Sequence, residues 1–324
     1  MDTNDKLYSS KFKTADIKLG YGCNDKCVHC VVEKLRDIAI QNKHLDLKTD
    51  EYLKEIDKVI SDGIKRIVVT GGEPTIRKDF PIIIDYINSF GIEIFLQTNG
   101  RFLSNSNLID KIKNKINTYI IALHGPNETI HDIVTQSSNS FNQTVQGIKN
   151  VVKIGGNVCG KTVISKLNYK TLLQTCKLYN KLGVKEIYIA YPHSSGEIDY
   201  LKKIAPTYTQ IKPYIEQCLT WAIENNINLK LESILPCNLD KEFPIKYYYD
   251  FTEFLAQKKY KMLDENYGSW EEFTKMDKKK DFSKCQKCVF NNFCNGIWHE
   301  YTNLYGFEQI RPITKIHDKS NLKF

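Results

Sequence analysis

A helix–glycine–strand unit recurs along the first 200 residues and limits the folds that this chain can adopt. The unit appears in "YLKEIDKVISDGIKRIVVT", "FPIIIDYINSFGIEIFLQT" and "LLQTCKLYNKLGVKEIYIA". In each stretch an amphipathic helix ends at a glycine (Gly63, Gly91 or Gly183), and a short β-branched run follows. Glycine is expected there because it adopts the left-handed conformation of a helix C-terminus at little steric cost. The pattern predicts repeated transitions from helix to strand.

Other segments complete an alternation of strands and helices. Strands are predicted at 15–19, 118–124 and 159–165, and a helix is predicted at 140–156. Strands that alternate with helices of about 10–15 residues are typical of βα units and a parallel sheet. Six such units fit into residues 15–195, and right-handed crossovers curl such a sheet toward a full or partial barrel. In these sheets the chemistry takes place at the C-terminal ends of the strands.

A cysteine-rich loop, "GYGCNDKCVHC", directly follows the first predicted strand. Its three cysteines are Cys23, Cys27 and Cys30. A structural zinc site takes four protein ligands, and the only additional ligand nearby is His29. A [4Fe–4S] cluster held by three thiolates instead has one iron without a protein ligand, and that iron can bind a substrate or a cofactor. The spacing favours an iron–sulfur cluster, with zinc as the alternative.

Composition and charge indicate the cellular compartment in which the protein is expected to work. The 324 residues carry 46 basic and 38 acidic side chains, a mild excess of +8, and 41% of them are hydrophobic, enough for a sizeable core. No apolar run of about 18 residues is present, and the N-terminus lacks the apolar region of a signal peptide. We therefore expect a cytoplasmic protein without a membrane segment. Ten cysteines in a reducing compartment indicate metal or redox chemistry rather than a disulfide framework.

The C-x3-C-x2-C motif after the first strand, followed by "GGEP" (71–74) after the second, resembles the radical S-adenosylmethionine (SAM) enzymes over roughly residues 14–200. The resemblance implies a partial (β/α)6 TIM-like barrel and a [4Fe–4S] cluster whose unique iron binds the amino and carboxylate groups of SAM. One electron then cleaves SAM to methionine and a 5′-deoxyadenosyl radical, which removes a hydrogen atom from the substrate. A flavodoxin- or ferredoxin-type protein is the implied electron donor.

The resemblance also implies which residues bind SAM. Gly71 and Gly72 would let the backbone approach a ligand closely, and Glu73, before Pro74, would accept a hydrogen bond from the SAM ammonium. His29 stands where the family often has an aromatic residue that touches the adenine. The remaining candidates are Thr98 or Asn99 in "LQTNG", His124 in "IALHG", Lys166 in "TVISKLN" and Pro192 or His193 in "YPHSSGE". Ala122 occupies the place of a serine that is frequent in the family, so His124 is the nearest polar substitute. A solvated side chain is the alternative for His29 and Lys166.

The rest of the chain, 201–324, differs in amino-acid composition and contains a second cysteine group. It is rich in Tyr, Lys and Asn, and we predict a boundary near residue 200, with 1–14 as an N-terminal extension and 15–200 as the barrel. Cys285, Cys288 and Cys294, followed by Gly296, resemble part of the Twitch/SPASM auxiliary-cluster domains. The full SPASM pattern has a further cysteine where this chain has Trp298. The resemblance therefore implies one auxiliary [4Fe–4S] cluster in a small C-terminal domain, with Cys237 as its fourth thiolate.

Alternatives exist for the other cysteines. A zinc ribbon is the alternative for the C-terminal group. Cys176 and Cys218 have the helical spacing of core residues, and the direction of Cys159 is not fixed by the pattern.

Three classes of function remain open at this point. The favoured class is a peptide maturase, which cross-links, oxidises or epimerises a ribosomally made peptide. The mild basicity and the Tyr- and Lys-rich second domain suit an extended chain, whereas the roughly 14 residues before the first strand are too few for the winged-helix leader-binding domain of many maturases. The alternatives are a dehydrogenase or epimerase of a sugar, nucleoside or amino acid, and a non-catalytic electron-transfer or binding module, which "GGEP" disfavours. Nucleic acid is not an expected partner, because no RNA-binding module is recognisable.

Overall fold

A computed structural model of the chain describes residues 14–41, 47–193, 198–250, 260–264, 267–269 and 277–317. The predicted N-terminal extension lies outside the described residues, apart from Thr14. None of the described helices has the length and apolar character needed to cross a bilayer.

A parallel sheet forms the centre of the molecule. Its first seven strands are β1 (Thr14–Lys18), β2 (Arg66–Thr70), β3 (Glu93–Thr98), β4 (Thr118–Ala122), β5 (Val158–Val163), β6 (Glu186–Ala190) and β7 (Asn228–Glu232). They lie side by side in chain order and every neighbouring pair is parallel. On the other side of β1 lie β8 (Tyr260–Asp264), which is parallel to it, and β9 (Tyr267–Ser269), which is antiparallel to β8. Among the described residues no ladder joins β7 to β9, so the sheet is an open, partial barrel.

Helices fill the crossovers between these strands. They are α1 (Glu33–Gln41) and α2 (Thr49–Ser61) before β2, α3 (Phe80–Ser89) before β3, α4 (Ser106–Ile112) before β4, α5 (Glu128–Thr135) and α6 (Ser140–Lys153) before β5, and α7 (Leu172–Lys181) before β6. The glycines that the sequence places after α2, α3 and α7 all have positive φ, from 67° to 92°, which confirms the predicted helix ends. Cys176 on α7 is buried in the core, as predicted.

The strand β7 extends the sheet beyond the six predicted units. It follows α8 (Ile198–Ile204) and α9 (Tyr208–Glu224), and it pairs with β6 from Asn228 opposite Glu186 to Glu232 opposite Ala190. The segment "NLKLE" lacks β-branched residues, so its strand character depends on burying Leu229 and Leu231 against the helices. The boundary near residue 200 stays a prediction, and the sheet continues past it by this strand.

The C-terminal segment 277–317 packs against the end of the barrel. It contains the short antiparallel pair β10 (Lys278–Lys279) and β11 (Ile297–Trp298), with α10 (Phe282–Cys285) and α11 (His299–Tyr305). The hydroxyl of Tyr301 on α11 accepts a hydrogen bond from the backbone N–H of Tyr208 at 3.1 Å, and its ring contacts that of Tyr191 at the end of β6. Cys218, on the α9 helix that Tyr208 begins, is fully buried, which confirms its predicted core role.

Candidate functional site

The loop that carries the first three cysteines rests on the segment that follows β2. The N–H of Gly72 donates to the carbonyl of Gly20 at 2.9 Å, and the N–H of Glu73 donates to that of Gly22 at 2.8 Å. A Cβ atom on Gly72 would lie 2.3 Å from the Gly22 oxygen, and Gly71 has φ 132°, which L-residues avoid. Contact with the cysteine loop is therefore sufficient to explain both glycines, and their approach to a ligand stays a prediction.

Cys23, Cys27 and Cys30 form one group of thiols. Burial, with smaller contributions from the nearby acids and from Cys30, raises the pKa of Cys23 to about 12. Burial also holds the pKa of Cys27 well above its usual value, with Asp25 and the other two thiols adding to the effect. The backbone N–H of Asp25 points to the Cys23 Sγ at 3.4 Å. Buried thiols of this kind become thiolates only beside a cation, so the donor set fits a metal cluster better than a free nucleophile.

Glu73 links the end of β2 to the end of β3. Its buried carboxylate accepts hydrogen bonds from the backbone N–H groups of Thr75 at 3.0 Å and Asn99 at 2.7 Å, and from the hydroxyl of Thr98 at 2.7 Å. Burial raises the pKa of Glu73, and these hydrogen bonds counteract part of that rise. Pro74 begins the short turn that Glu73 caps. The structure thus brings Glu73, Thr98 and Asn99 together, but it binds them to one another, leaving mainly Oε2 of Glu73 with acceptor capacity.

Arg101 is a site residue that the sequence does not reveal. Its guanidinium donates to the Asp25 carboxylate at 2.6 Å, to the carbonyl of Asn24 and, through Nε, to Gln143 at 2.6 Å. The side-chain amide of Asn99 donates to that of Asn24 at 2.7 Å. Residues that follow β3 therefore hold the cysteine loop from one side. A charged residue directly after "TNG" was the one available signal, and it does not identify Asp25 as the partner.

Three histidines form a row beside the thiols. The ring centroids of His29 and His124 are 4.4 Å apart, and those of His124 and His131 are 5.9 Å apart. Potential ligand atoms of Cys27, His29 and His124 all lie within 4.8 Å of one another. Burial lowers the pKa of His29 and of His131 to about 4 and that of His124 well below its usual value, so the row is neutral at pH 7. His131, whose Nδ1 accepts the His124 N–H at 3.0 Å, was not identified from the sequence.

Lys166 lies apart from this group. Its side chain is exposed, and its ammonium donates to the carbonyl of Lys202 on α8 at 2.7 Å rather than to the cysteine loop. Of the two candidates after β6, Pro192 is buried, and the His193 ring lies 4.8 Å from that of Trp298 in the C-terminal segment.

The second cysteine group surrounds one cavity. Cys237, Cys285, Cys288 and Cys294 line it together with apolar side chains such as Leu235, Ile297, Phe307 and Ile310. Burial raises the pKa of the Cys237 thiol, and all three C-terminal thiols raise it further. The N–H of Gly296 donates to the Cys294 Sγ at 3.2 Å. The structure therefore brings the thiol that the sequence proposes as the fourth ligand to the other three, and four thiols in an apolar cavity fit a second cluster.

The loop geometry, the parallel sheet and the order of the motifs define a class of protein. Residues 17–179 match the model of the radical SAM superfamily, and the chain belongs to this superfamily. The predicted family and the mixed α/β fold with a parallel sheet are thereby confirmed.

Curated relatives cover part of the chain. This chain is 26% identical to the AdoMet-dependent heme synthase of Methanosarcina barkeri over 221 aligned residues. The alignment covers 68% of this chain and 60% of the relative. It is 27% identical over 194 residues to a probable GTP 3′,8-cyclase of Sulfolobus acidocaldarius, which is 59% of each. The chain thus spans about 60% of the length of these relatives.

Solved structures of Streptococcus suis SuiB share the fold. The SAM-bound form superposes with a TM-score of 0.62 at 13% identity, over 94% of this chain and 76% of SuiB. The form bound to the precursor peptide SuiA gives 0.56 at 14% identity, over 75% of this chain and 52% of SuiB. At this level of identity the likeness concerns the fold alone.

Proposed function

We propose that the protein is a radical SAM enzyme with two [4Fe–4S] clusters, one held by Cys23, Cys27 and Cys30 and one by the four cysteines of the second cavity. The observation that carries the proposal is the division of seven thiols into a group of three and a group of four. When SAM is bound at the three-thiolate cluster, this cluster and SAM together supply the one-electron cleavage of SAM to a 5′-deoxyadenosyl radical, which abstracts hydrogen. Four thiolates complete the coordination of the second cluster, as in the Twitch/SPASM-like domain expected for 201–324.

The chain's own residues position SAM. We propose that Asn99, His124 and the free lone pair of Glu73 Oε2 face its polar groups, and that the neutral ring of His29 lies against its adenine. Four other residues act on SAM indirectly, because they fix the positions of Glu73 and the cysteine loop: Thr98, Gly71, Gly72 and Pro74. Lys166 reaches the SAM carboxylate only if its bond to Lys202 breaks, so it ranks below the other contacts.

For the substrate, we propose a ribosomally made peptide. The support is the likeness in fold to SuiB, a protein observed with a precursor peptide, together with the Tyr- and Lys-rich second half of the chain. A small molecule is the second candidate, favoured by the similarity to a heme synthase and a GTP cyclase. We further propose a flavodoxin- or ferredoxin-type electron donor and a cytoplasmic location. A module that only relays electrons is the third candidate.

Iron content tests the two-cluster proposal. Anaerobically reconstituted protein is expected to hold about eight irons, four per cluster. Replacement of Cys23, Cys27 and Cys30 by Ala is expected to leave about four and to abolish SAM cleavage, and replacement of Cys285, Cys288 and Cys294 is expected to leave the other four. Stoichiometric zinc without iron in anaerobically purified protein would contradict the proposal.

Two assays separate the candidate functions. Incubation of the reduced protein with SAM yields 5′-deoxyadenosine for an enzyme and none for an electron relay. Co-expression with a short peptide encoded beside this chain, followed by mass spectrometry, is expected to show loss of two hydrogens or gain of deuterium from solvent. An unmodified peptide, with a small metabolite driving 5′-deoxyadenosine formation instead, would show that the second candidate is correct.

A further inference from the structure

Charged side chains line the concave face of the sheet. A Cβ atom on Gly160 of β5 would lie 2.6 Å from the ring of Tyr179, so Gly160 faces the helices and the next residue, Lys161, points to the opposite, concave face. The Lys161 ammonium lies 2.8 Å from Oε2 of Glu232 on β7. Ala15 and Ile17 of β1 are buried in the helix-facing core, which places Asp16 on the concave face as well.

These three side chains have unused hydrogen-bonding capacity. In the described part of the chain, the Lys161 ammonium donates only to Glu232, although it carries three N–H groups. There too, Oε1 of Glu232 and the Asp16 carboxylate accept no hydrogen bond. The side chains of Lys161 and Glu232 are 28% and 20% exposed, so the pair borders open space rather than packed core. Charged groups that border open space on the inner face of a barrel are available to a ligand that enters it.

Glu232 is the last residue of β7, so this set reaches the C-terminal edge of the sheet, where the chemistry of such sheets takes place. His193 follows β6, the strand that lies between β5 with Lys161 and β7 with Glu232. Its ring lies 4.8 Å from that of Trp298, at an angle of 33°, and Trp298 follows Cys294 by four residues. Through His193, the strands that carry Lys161 and Glu232 are thus linked to the segment that carries the second cysteine group. Partly exposed ion pairs contribute little net stability, so stability alone does not explain this one.

With Lys18 included, two positive and two negative side chains offset one another on this face, namely Lys161 and Lys18 against Glu232 and Asp16. Burial raises the pKa of Asp16 to about 6, and the neighbouring Lys18 and Lys161 limit the rise. Burial acts to lower the pKa of Lys161, but Glu232 raises it above its usual value overall, so Lys161 is an ammonium at neutral pH. An ion with net charge would have to disrupt this pairing. A neutral group that offers one acceptor to Lys161 and one donor to Glu232 or Asp16 would leave it intact.

We propose that Lys161 and Glu232, with Asp16, form a clamp for a neutral amide of the substrate, namely a backbone amide of a peptide. The carbonyl oxygen accepts a hydrogen bond from the Lys161 ammonium, and the amide N–H donates to a free carboxylate oxygen of Glu232 or Asp16. The inference rests on the proposed function, because it assigns a binding mode to the peptide substrate of the same cavity.

Ligand-observed NMR on the reconstituted, SAM-bound protein tests the clamp. The probe is N-acetylalanine methylamide, and the matched probe is its analogue with both amide nitrogens methylated, which keeps the acceptors and lacks the donors. A hydrogen bond to a charged group contributes about 1.5–3 kcal/mol, so the methylated probe is expected to bind roughly ten- to a hundredfold more weakly. Equal binding of the two probes, tighter binding of alanine, or no binding of either amide would overturn the proposal.

Variants locate the binding on this wall. The double variant Lys161→Met, Glu232→Leu replaces the ion pair by apolar side chains of similar size. It is expected to lower the affinity for the amide probe at least about tenfold and to leave SAM binding unchanged. Lys177→Met on the exposed face of α7 is the control and is expected to change neither. Weaker SAM binding in the double variant would assign the pair to SAM instead. If the SAM-bound protein forms no 5′-deoxyadenosine after reduction while the amide probe still distinguishes the double variant from Lys177→Met, the proposed function is wrong and only the amide-binding site stands.

Discussion

The ion pair between Arg101 and Asp25 is expected to be the strongest polar contact that holds the first cysteine loop in place. The Asp25 side chain is 1% exposed and that of Arg101 is 14% exposed, and the two charged atoms are 2.6 Å apart. Removal of one partner from a buried pair leaves an uncompensated charge and typically costs about 3–5 kcal/mol. Arg101→Met is therefore expected to lower the free energy of unfolding of the iron-free protein by about that amount.

The chain contains a matched control for this variant. Arg66 and Glu93 form a pair with the same 2.6 Å separation, but their side chains are 30% and 50% exposed. Because water screens an exposed pair, Arg66→Met is expected to cost about 1 kcal/mol or less from the ion pair. Both pairs join an arginine to a carboxylate over the same distance, so a comparison of their coupling energies reports mainly the effect of burial.

Urea unfolding of the iron-free protein under reducing conditions measures both costs, and a double-mutant cycle isolates the pair. Asp25→Asn keeps the size of the side chain and removes its charge, so the cycle of Arg101→Met and Asp25→Asn reports their coupling. We expect a coupling of about 2 kcal/mol, within the range for contacting residues. We also expect faster loss of iron from reconstituted Arg101→Met protein to a chelator. A coupling below about 0.5 kcal/mol, or a cost equal to that of Arg66→Met, would refute the reasoning.

Three further predictions concern the site. Gly72→Ala is expected to reduce iron retention at Cys23, Cys27 and Cys30, because its Cβ would meet the Gly22 carbonyl at 2.3 Å. The control is Gly91→Ala, which has open space around it and is expected to lower the free energy of unfolding by about 1–2 kcal/mol from its positive φ and to keep full iron. Equal iron content in both variants would contradict this. Glu73→Gln is expected to raise the SAM concentration required for cleavage roughly tenfold, and Lys166→Ala is expected to leave it unchanged, as SAM titrations of 5′-deoxyadenosine formation would show. Folding lowers the pKa of His131 to about 4. The free energy of unfolding is therefore unaffected by this group above about pH 6.5 and decreases, by up to about 3 kcal/mol, as the pH falls toward 4. His131→Asn is expected to flatten this part of the stability profile of the iron-free protein, and an unchanged profile would contradict the assignment.

The alternation of helices and strands, and the order of the motifs along it, could be predicted from the amino-acid sequence alone. Both depend on local signals, namely helical periodicity, glycine at helix ends and the spacing of Cys23, Cys27 and Cys30. Because parallel strands carry their following loops to one edge of the sheet, the same signals were sufficient to place "GGEP" beside the cysteine loop.

The partners of individual side chains, in contrast, depend on the packing of elements that are distant in the chain. The strand β7 lacks β-branched residues and exists because it pairs with β6. Arg101 meets Asp25 across 76 residues of chain, and Lys161 meets Glu232 across 71. Lys166 matched a family motif in position, yet its ammonium lies against α8. Spacing along a chain specifies which face of an element a residue occupies, whereas the contacts across that face depend on how distant elements pack, and no local pattern encodes that packing.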